Sequence, residues 1–436
     1  MDKKQDLTAV IPSSLTDLQA LMDAGAMIGL GTPALSEASS DEYYMDDDVL
    51  NSFTKEALDL YSWTPVVAEE NSPNDWHNSY VPVYYSNLAL DLLTKIQINS
   101  SNSNDWNNVK GSALFYRSYY FLGLLWQYAK AYDQNAAEKD YGIVLRMSSD
   151  FNIPSKRATC EASYLQVIKD VKAAIVLLPD FPQVPTRPSK GAAYGLLARC
   201  YLSMRDYKHA LSYADSALDL NRKLIDFNDI KDIRGDEAND VNINPFKRYN
   251  EETIFYSILN VDYDVLIGSG NVDTTLLSLY TKYDLRKNFY YGERGSGEVY
   301  KGSYSGDTYY RFTGIATDEL YLIRAECLVR NGGVSKGLDV LNTLLQNRYI
   351  TGHFVPFNNL SQSEALAAVL RERRKELYCR GNRWIDIKRL NKDGAGIILR
   401  RKVNGVEYKL EPDANFYAIP IPDDIIKITG IPQNEP

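Results

Sequence analysis

Histidine and cysteine are scarce in this chain, with three and four copies in 436 residues, and their scatter excludes the commonest metal and redox chemistries. Cys160, Cys200, Cys327 and Cys379 stand 40, 127 and 52 positions apart, far from the close spacing of metal-binding or redox motifs. They read as buried reduced thiols that pack as small hydrophobes. His77, His209 and His353 are equally dispersed and offer no zinc or non-haem iron set. No stretch approaches the roughly 20 apolar residues of a membrane helix. Basic charge is in deficit, 48 Lys and Arg against 57 Asp and Glu, so the phosphate neutralisation that drives nucleic-acid binding is missing. Nucleic acid is not expected as a partner. The opening Met1-Asp2-Lys3-Lys4-Gln5-Asp6 lacks the apolar core of a signal peptide, which by itself reads as cytoplasmic.

Catalytic motifs are also missing. Gly297 and Gly302 stand at phosphate-loop spacing, but no lysine separates Gly302 from Ser303, and a nucleotide site needs that lysine. There is no Gly-x-Ser-x-Gly elbow, and no histidine sits where a base would. Carboxylates are plentiful, yet none is marked as half of a glycosidase pair. The chain therefore reads as a non-enzyme without a cofactor.

What is present is an ordinary globular composition, 44% hydrophobic and 24% charged, with one skew: 33 Tyr against 13 Phe and 5 Trp. Such rings, apolar with a polar tip, suit half-wet positions.

Apolar spacing predicts a mainly α chain. A helix capped by Ser14 or Thr16 runs through Leu18, Leu21 and Met22, and a Gly/Pro/Ser loop at 29–40 follows. The acidic run 41–48 reads as a solvated loop or a helix N-terminus, with a calcium or polyol contact as the alternative. After a helix at 53–62, two long helices over Trp76–Lys95 and Val109–Tyr132 make an antiparallel pair. A second pair spans 161–178 and 188–204, and a further helix runs from Lys208 to Leu220. The pattern Tyr194, Leu197, Ala198, Tyr201, Tyr207, Ala210, Ala214, Ala217 resembles a tetratricopeptide repeat. It recurs 127 positions later as Tyr321, Arg324, Ala325, Leu328, Gly337, Leu341, Leu344. Between the two, residues 228–316 are rich in Gly, Asn, Asp and Tyr with short β-like runs such as 253–258, and loops of that length are usually functional. Helices at 318–348 and 361–380 follow, then a hairpin from Ile397 to Leu410 around Asn404-Gly405 and a Pro-punctuated tail. The polar cluster 370–389 reads as a helix carrying Glu372 and Glu376, with Arg373, Arg380 and Arg383 as ion-pair donors. Gly381 ends it and Trp384 packs back, which describes an architectural fastening rather than a site.

That cluster, with Glu372-Arg373-Arg374, Glu376-Leu377, Gly381, Arg383-Trp384, Asp386 and Lys388-Arg389, resembles the C-terminal signature of the SusD/RagB family of nutrient-uptake lipoproteins. Supporting stretches run through the chain in the family's order: Val10-Ile11-Pro12 and 17–23; Trp76, Tyr80 and Asn87; 117–121; 321–326; and Ile419-Pro420-Ile421-Pro422. The resemblance implies one SusD-like domain over 1–436. Its tetratricopeptide-like helix pairs would lie within 76–222 and 317–350, its loop-rich ligand face at 228–316, and its signature helix and tail at 361–436. It further implies capture of oligosaccharide, or of peptide in the RagB branch, and a SusC-like TonB-dependent transporter as partner. A lipidated cysteine at the outer-membrane surface is implied as well. Neither signal peptide nor such a cysteine occurs at Met1, so the anchor is expected upstream.

Under that resemblance the tyrosine excess suggests a sugar-stacking platform carried by loops. The expected ligand residues are Trp63, near the end of the helix 53–62; Asn74, Asp75 and Trp76 before the array; and Tyr290, Tyr291, Tyr300, Tyr304 and Tyr309 in the insert. Trp76 doubles as the family's array tryptophan, whose ordinary place is a packed helix start. Tyr116, Tyr119, Tyr194 and Tyr201 fall at array spacing and read as packing. An intracellular tetratricopeptide scaffold gripping a protein tail, and a glycoside hydrolase, are the competing readings.

Overall fold

A computed structural model of the chain describes residues 12–29, 31–64, 74–229, 231–233, 240–260, 264–295, 297–302 and 304–435. Ser14 caps α1 (Leu15–Met22): its hydroxyl accepts from Asp17 N, while the Asp17 carboxylate accepts from Ser14 N. That reciprocal box satisfies donors a helix start would otherwise leave open. Short helices α2 (Leu35–Ala38), α3 (Asp47–Leu50) and α4 (Lys55–Tyr61) follow, with β1 (Tyr43–Tyr44) between the first two. The acidic run splits. Asp47 and Asp48 begin α3 in solvent, whereas Asp41 turns inward to Arg383 at 2.6 Å and Glu42 is buried.

The array is built from α5 (Asp75–Leu93), α6 (Ser103–Tyr128), α7 (Cys160–Leu177), α8 (Lys190–Ser203) and α9 (Tyr207–Leu220), with β2 (Tyr141–Val144) and β3 (Arg157–Thr159) between α6 and α7. Each of α7, α8 and α9 starts at a side-chain cap, supplied by Thr159, Ser189 and Asp206. The helix expected over 109–132 begins at Ser103 and ends at Tyr128. Before Val109 its one apolar residue is Trp106, too little for spacing alone to mark the extra turn.

After α9 the chain leaves the array for β4 (Thr253–Phe255), α10 (Asp264–Ser269), β5 (Asn271–Val272), α11 (Thr274–Leu277), α12 (Leu285–Tyr290), β6 (Tyr291–Arg294), β7 (Gly297–Tyr300) and β8 (Ile315–Ala316). It then returns as α13 (Thr317–Arg330) and α14 (Val334–Gln346). The returning α13 packs on α9 as well as on α14, so the two matching repeats are neighbours in space. Ala210, Ala214 and Ala325 are fully buried at these contacts. A Cβ on Gly337 would lie 2.5 Å from Val329 Cγ2, which is why the pattern holds a glycine there. Antiparallel pairing of β4 with β8 ties the insert to the base of α13. Every sheet among the described residues is a two-stranded antiparallel ladder.

The last segment comprises α15 (Gln362–Glu376), α16 (Arg383–Lys392), the hairpin β9 (Leu399–Val403) and β10 (Val406–Leu410), and α17 (Asp423–Thr429). Asn404 and Gly405 take φ values of 48° and 82°, as a two-residue hairpin turn requires. The helix expected over 361–380 stops at Glu376. A turn with Cys379 and Gly381 at positive φ then starts α16, which places Trp384 in the core 4.8 Å from Tyr417. The ion pairs fasten, as expected, but with other partners. Glu372 and Glu376 meet Arg286 at 2.6 and 2.9 Å, and Glu376 also meets Arg348 at 2.7 Å. Arg348 in turn holds Glu252 at 2.7 Å. Arg373 and Arg389 share Asp386, and Arg380 holds Asp318. Insert, array and C-terminal segment are thus locked together by several buried ion-pair clusters. The four cysteines are buried and none forms a disulfide.

Candidate ligand-binding face

Seven of the nine expected ligand residues are buried. Trp63, held at φ 55°, donates from Nε1 to Ser39 O at 2.8 Å and lies under the Arg401 guanidinium. Asn74 is the α5 N-cap, accepting from His77 N at 2.9 Å. Asp75 accepts from Ala34 N, Leu35 N, Gln127 Nε2 and Asn260 Nδ2 at 2.7–3.0 Å, and burial raises its carboxyl above the usual range. Trp76 packs between Tyr80 and Tyr128. Tyr290 lies against Phe227 and Phe246, Tyr291 shares a hydroxyl contact with Tyr280, and Tyr304 donates to Glu252 at 2.7 Å. The half-wet expectation is corrected for these residues: Trp63 packs under the C-terminal hairpin, Trp76 packs within the array, and the three tyrosines pack in the core beneath the insert, where the phenol of Tyr304 serves a buried carboxylate. Tyr300 is half-buried, between Tyr378 and the Arg311 guanidinium. Only Tyr309 of the nine stands in solvent, 77% exposed.

Tyr309 belongs to a face that the spacing of residues did not mark. Tyr249, 44% exposed, is held at φ 59°, a strained setting for an aromatic residue and one that clusters at binding sites. Its ring meets the edge of Tyr256 at 5.0 Å. Tyr256 donates to Ser305 O at 3.1 Å, and burial pushes its phenol up to about 12. Arg248 stands over the Tyr256 ring at 5.8 Å and donates from Nε to Ser305 O at 3.0 Å, with Asp307 3.9 Å from its Nη2. Gly306 permits this approach: at φ 71° a Cβ there would lie 2.5 Å from Arg248 Cβ. The Asp307 carboxylate accepts from Tyr309 N at 2.8 Å, an Asx turn that carries Tyr309 outward. The face therefore offers tilted aromatic rings, a guanidinium and a carboxylate on fixed backbone. The Asp307-x-Tyr309 turn was readable in principle. Nothing local marks Arg248 or Tyr249.

Other features could hold a small group. A cavity of about 510 Å³ lies along α5, lined by Trp76, Tyr80, Tyr84, Arg146, Phe151 and Ile425 among others. Glu37, Glu42 and Cys379 bring ligand-type atoms within 4.8 Å of one another in the core. Burial, then repulsion from Glu42, raises Glu37 well above the carboxylate range. Among the described residues no helix is long and apolar enough to cross a membrane.

Comparison with known proteins agrees with this architecture. Residues 1–202 match a family model described as SusD-like, "starch-binding associating with outer membrane", and residues 247–435 match that of the SusD family. A SusD-like protein P2 of Formosa agariphila is 24% identical over 430 residues, covering 83% of this chain and 79% of its own. A SusD superfamily structure from Bacteroides thetaiotaomicron superposes with a TM-score of 0.77 at 19% identity, over 97% of this chain and all of that one. A SusD-like carbohydrate binding protein from Bacteroides vulgatus gives 0.70 at 17% identity, over 96% and 97%. With both halves matched by models of one family, in the order its signature residues predict, the chain belongs to the SusD/RagB family.

Proposed function

We propose that the protein is a non-catalytic cell-surface binding protein that captures oligosaccharide and passes it to a SusC-like TonB-dependent outer-membrane transporter, itself held at the outer leaflet by a lipid anchor. The observation that carries the reading is the exposed tyrosine face at Tyr249 and Tyr309, flanked by Arg248 and Asp307. A pyranose presents an apolar C–H face to a ring and hydroxyls to the charged rim. The starch-binding description of the matched family and the carbohydrate-binding relative support the same ligand class.

Calorimetric titration with panels of neutral oligosaccharides and of peptides tests this. At least one glycan binds, and Tyr249→Ala and Tyr309→Ala each weaken it about tenfold, the loss of roughly 1.4 kcal/mol of stacking. The bound glycan is recovered intact after long incubation. Binding to peptides alone would overturn the sugar reading in favour of a RagB-like one.

A further inference from the structure

Another surface groove shares no lining residue with the tyrosine face. It measures about 770 Å³ and is formed by α1, the first turns of α6 and the loop 178–189, a volume within the roughly 300–1,000 Å³ of small-molecule clefts. Its lining is unusual for its amides: Gln19, Asn104, Asn107, Asn108 and Gln183 all contribute. Part of this set is already linked. Asn108 Nδ2 donates to Gln19 Oε1 at 2.8 Å, and Gln19 Nε2 donates to Asp23 Oδ1 at 3.0 Å. Asp23 accepts a two-pronged contact from Arg187 at 2.8 and 2.5 Å, and Arg187 reaches on to Gln183. Such a relay fixes each amide before any ligand arrives. Asn104 and Asn107 make no side-chain hydrogen bond among the described residues, so both keep full donor and acceptor capacity toward the groove.

The opposite wall carries Phe181, 63% exposed on a loop that also holds Pro179, Pro182 and Pro188. That loop is pinned where Tyr116 donates to Thr186 O and Tyr256 N donates to Pro185 O, each at 2.7 Å. An aromatic ring presented to water on an anchored, proline-stiffened loop is available for stacking, with less backbone ordering entropy to lose on binding.

We infer that this groove is a second carbohydrate site, taking a neutral oligosaccharide whose ring stacks on Phe181 while its hydroxyl pairs meet Asn104, Asn107 and the linked amides. Side-chain amides offer a donor and an acceptor side by side, the complement of a vicinal diol. Asp23 and Arg187 neutralise each other, and no further basic residue lines the groove, so a phosphorylated or sulfated ligand has no counter-charge. No strand edge lines it either, and strand addition is how an extended peptide gains main-chain hydrogen bonds. The site goes beyond the reading given above, sharing no residue with the tyrosine face, and rests on that reading only for the class of ligand.

The test is titration of the intact protein with maltoheptaose, cellohexaose, laminarihexaose and xylohexaose, in wild type, Phe181→Ala, Asn107→Ala and the double variant Tyr249→Ala/Tyr309→Ala. A glycan that binds the wild type is expected at more than one equivalent per chain. Phe181→Ala and Asn107→Ala each remove one class of site or weaken it about tenfold, with an unchanged melting temperature because Phe181 is exposed. The double variant retains the groove site. A single equivalent, lost in the double variant and untouched by Phe181→Ala, would overturn the groove and leave the proposed function standing. Binding of none of the four would overturn both.

Discussion

Four donors converge on the Asp75 carboxylate, two of them backbone amides of the segment entering α2 and two of them side-chain amides from α6 and the insert. A carboxylate so occupied has no capacity for a ligand, and its removal strands buried N–H groups at about 1–3 kcal/mol each. Asp75→Ala is therefore expected to lower unfolding stability by at least about 3 kcal/mol, read from denaturant melts. Unchanged stability with altered glycan affinity would return Asp75 to the binding site. Its role was not legible because Asn74-Asp75-Trp76 carries only a helix-start pattern, while the donors come from 40 to 185 residues away. Lys388 makes a second test. Its Nζ donates to Trp126 O and Ala129 O at 2.7 and 2.6 Å, capping the end of α6, and burial pushes it down to about 7. An unfolded lysine keeps its proton to about 10.4. Between those values the unfolded chain binds a proton the native state has released, so this group raises stability as pH climbs from about 7 to about 10 and adds no slope below. Lys388→Met should flatten the urea midpoint over that window relative to wild type. Parallel curves for the two proteins would show that the amine is not buried neutral.

Helices with both an apolar stripe and a side-chain cap were readable to within a residue or two, as α7 after Thr159 and α8 after Ser189 demonstrate. α16 was not, because its buried residues include Asp386, Lys388 and Arg389. Charges enter a core only when a distant partner meets them, and sequence spacing shows no such partner. The same reason hid Arg286 and Arg348 as the true partners of Glu372 and Glu376. Breaking a buried pair from one side leaves a bare charge, at about 3–5 kcal/mol. Arg348→Met should lose that much, since Glu252 and Glu376 both lean on it. Burial already holds the Glu252 carboxyl up at about 7. Arg371→Ala removes an exposed guanidinium whose contact with Glu372 is long, at 3.7 Å, and should change stability by less than about 1 kcal/mol. Equal losses for the two variants in denaturant melts would mean the network carries no special weight.

At the level of the molecule, repetition made the scaffold visible and its lack concealed the face. The two repeats 127 positions apart prove to be neighbours in space, with α9 packed on α13. The insert offered only composition, and composition does not say which of its tyrosines turn inward. Tyr290 and Tyr304 went to the core, while Tyr249 and Tyr309 stayed out. The contact between α9 and α13 has a further consequence. Because these helices meet directly, residues 221–316 form a loop whose two ends are held together by the scaffold itself. Closing such a loop costs an entropy that grows only as the logarithm of its length, about 0.6 kcal/mol for each doubling. The array can therefore carry inserts of very different sizes at nearly constant thermodynamic expense, which leaves the candidate face open to wholesale replacement while the helices beneath it stay the same.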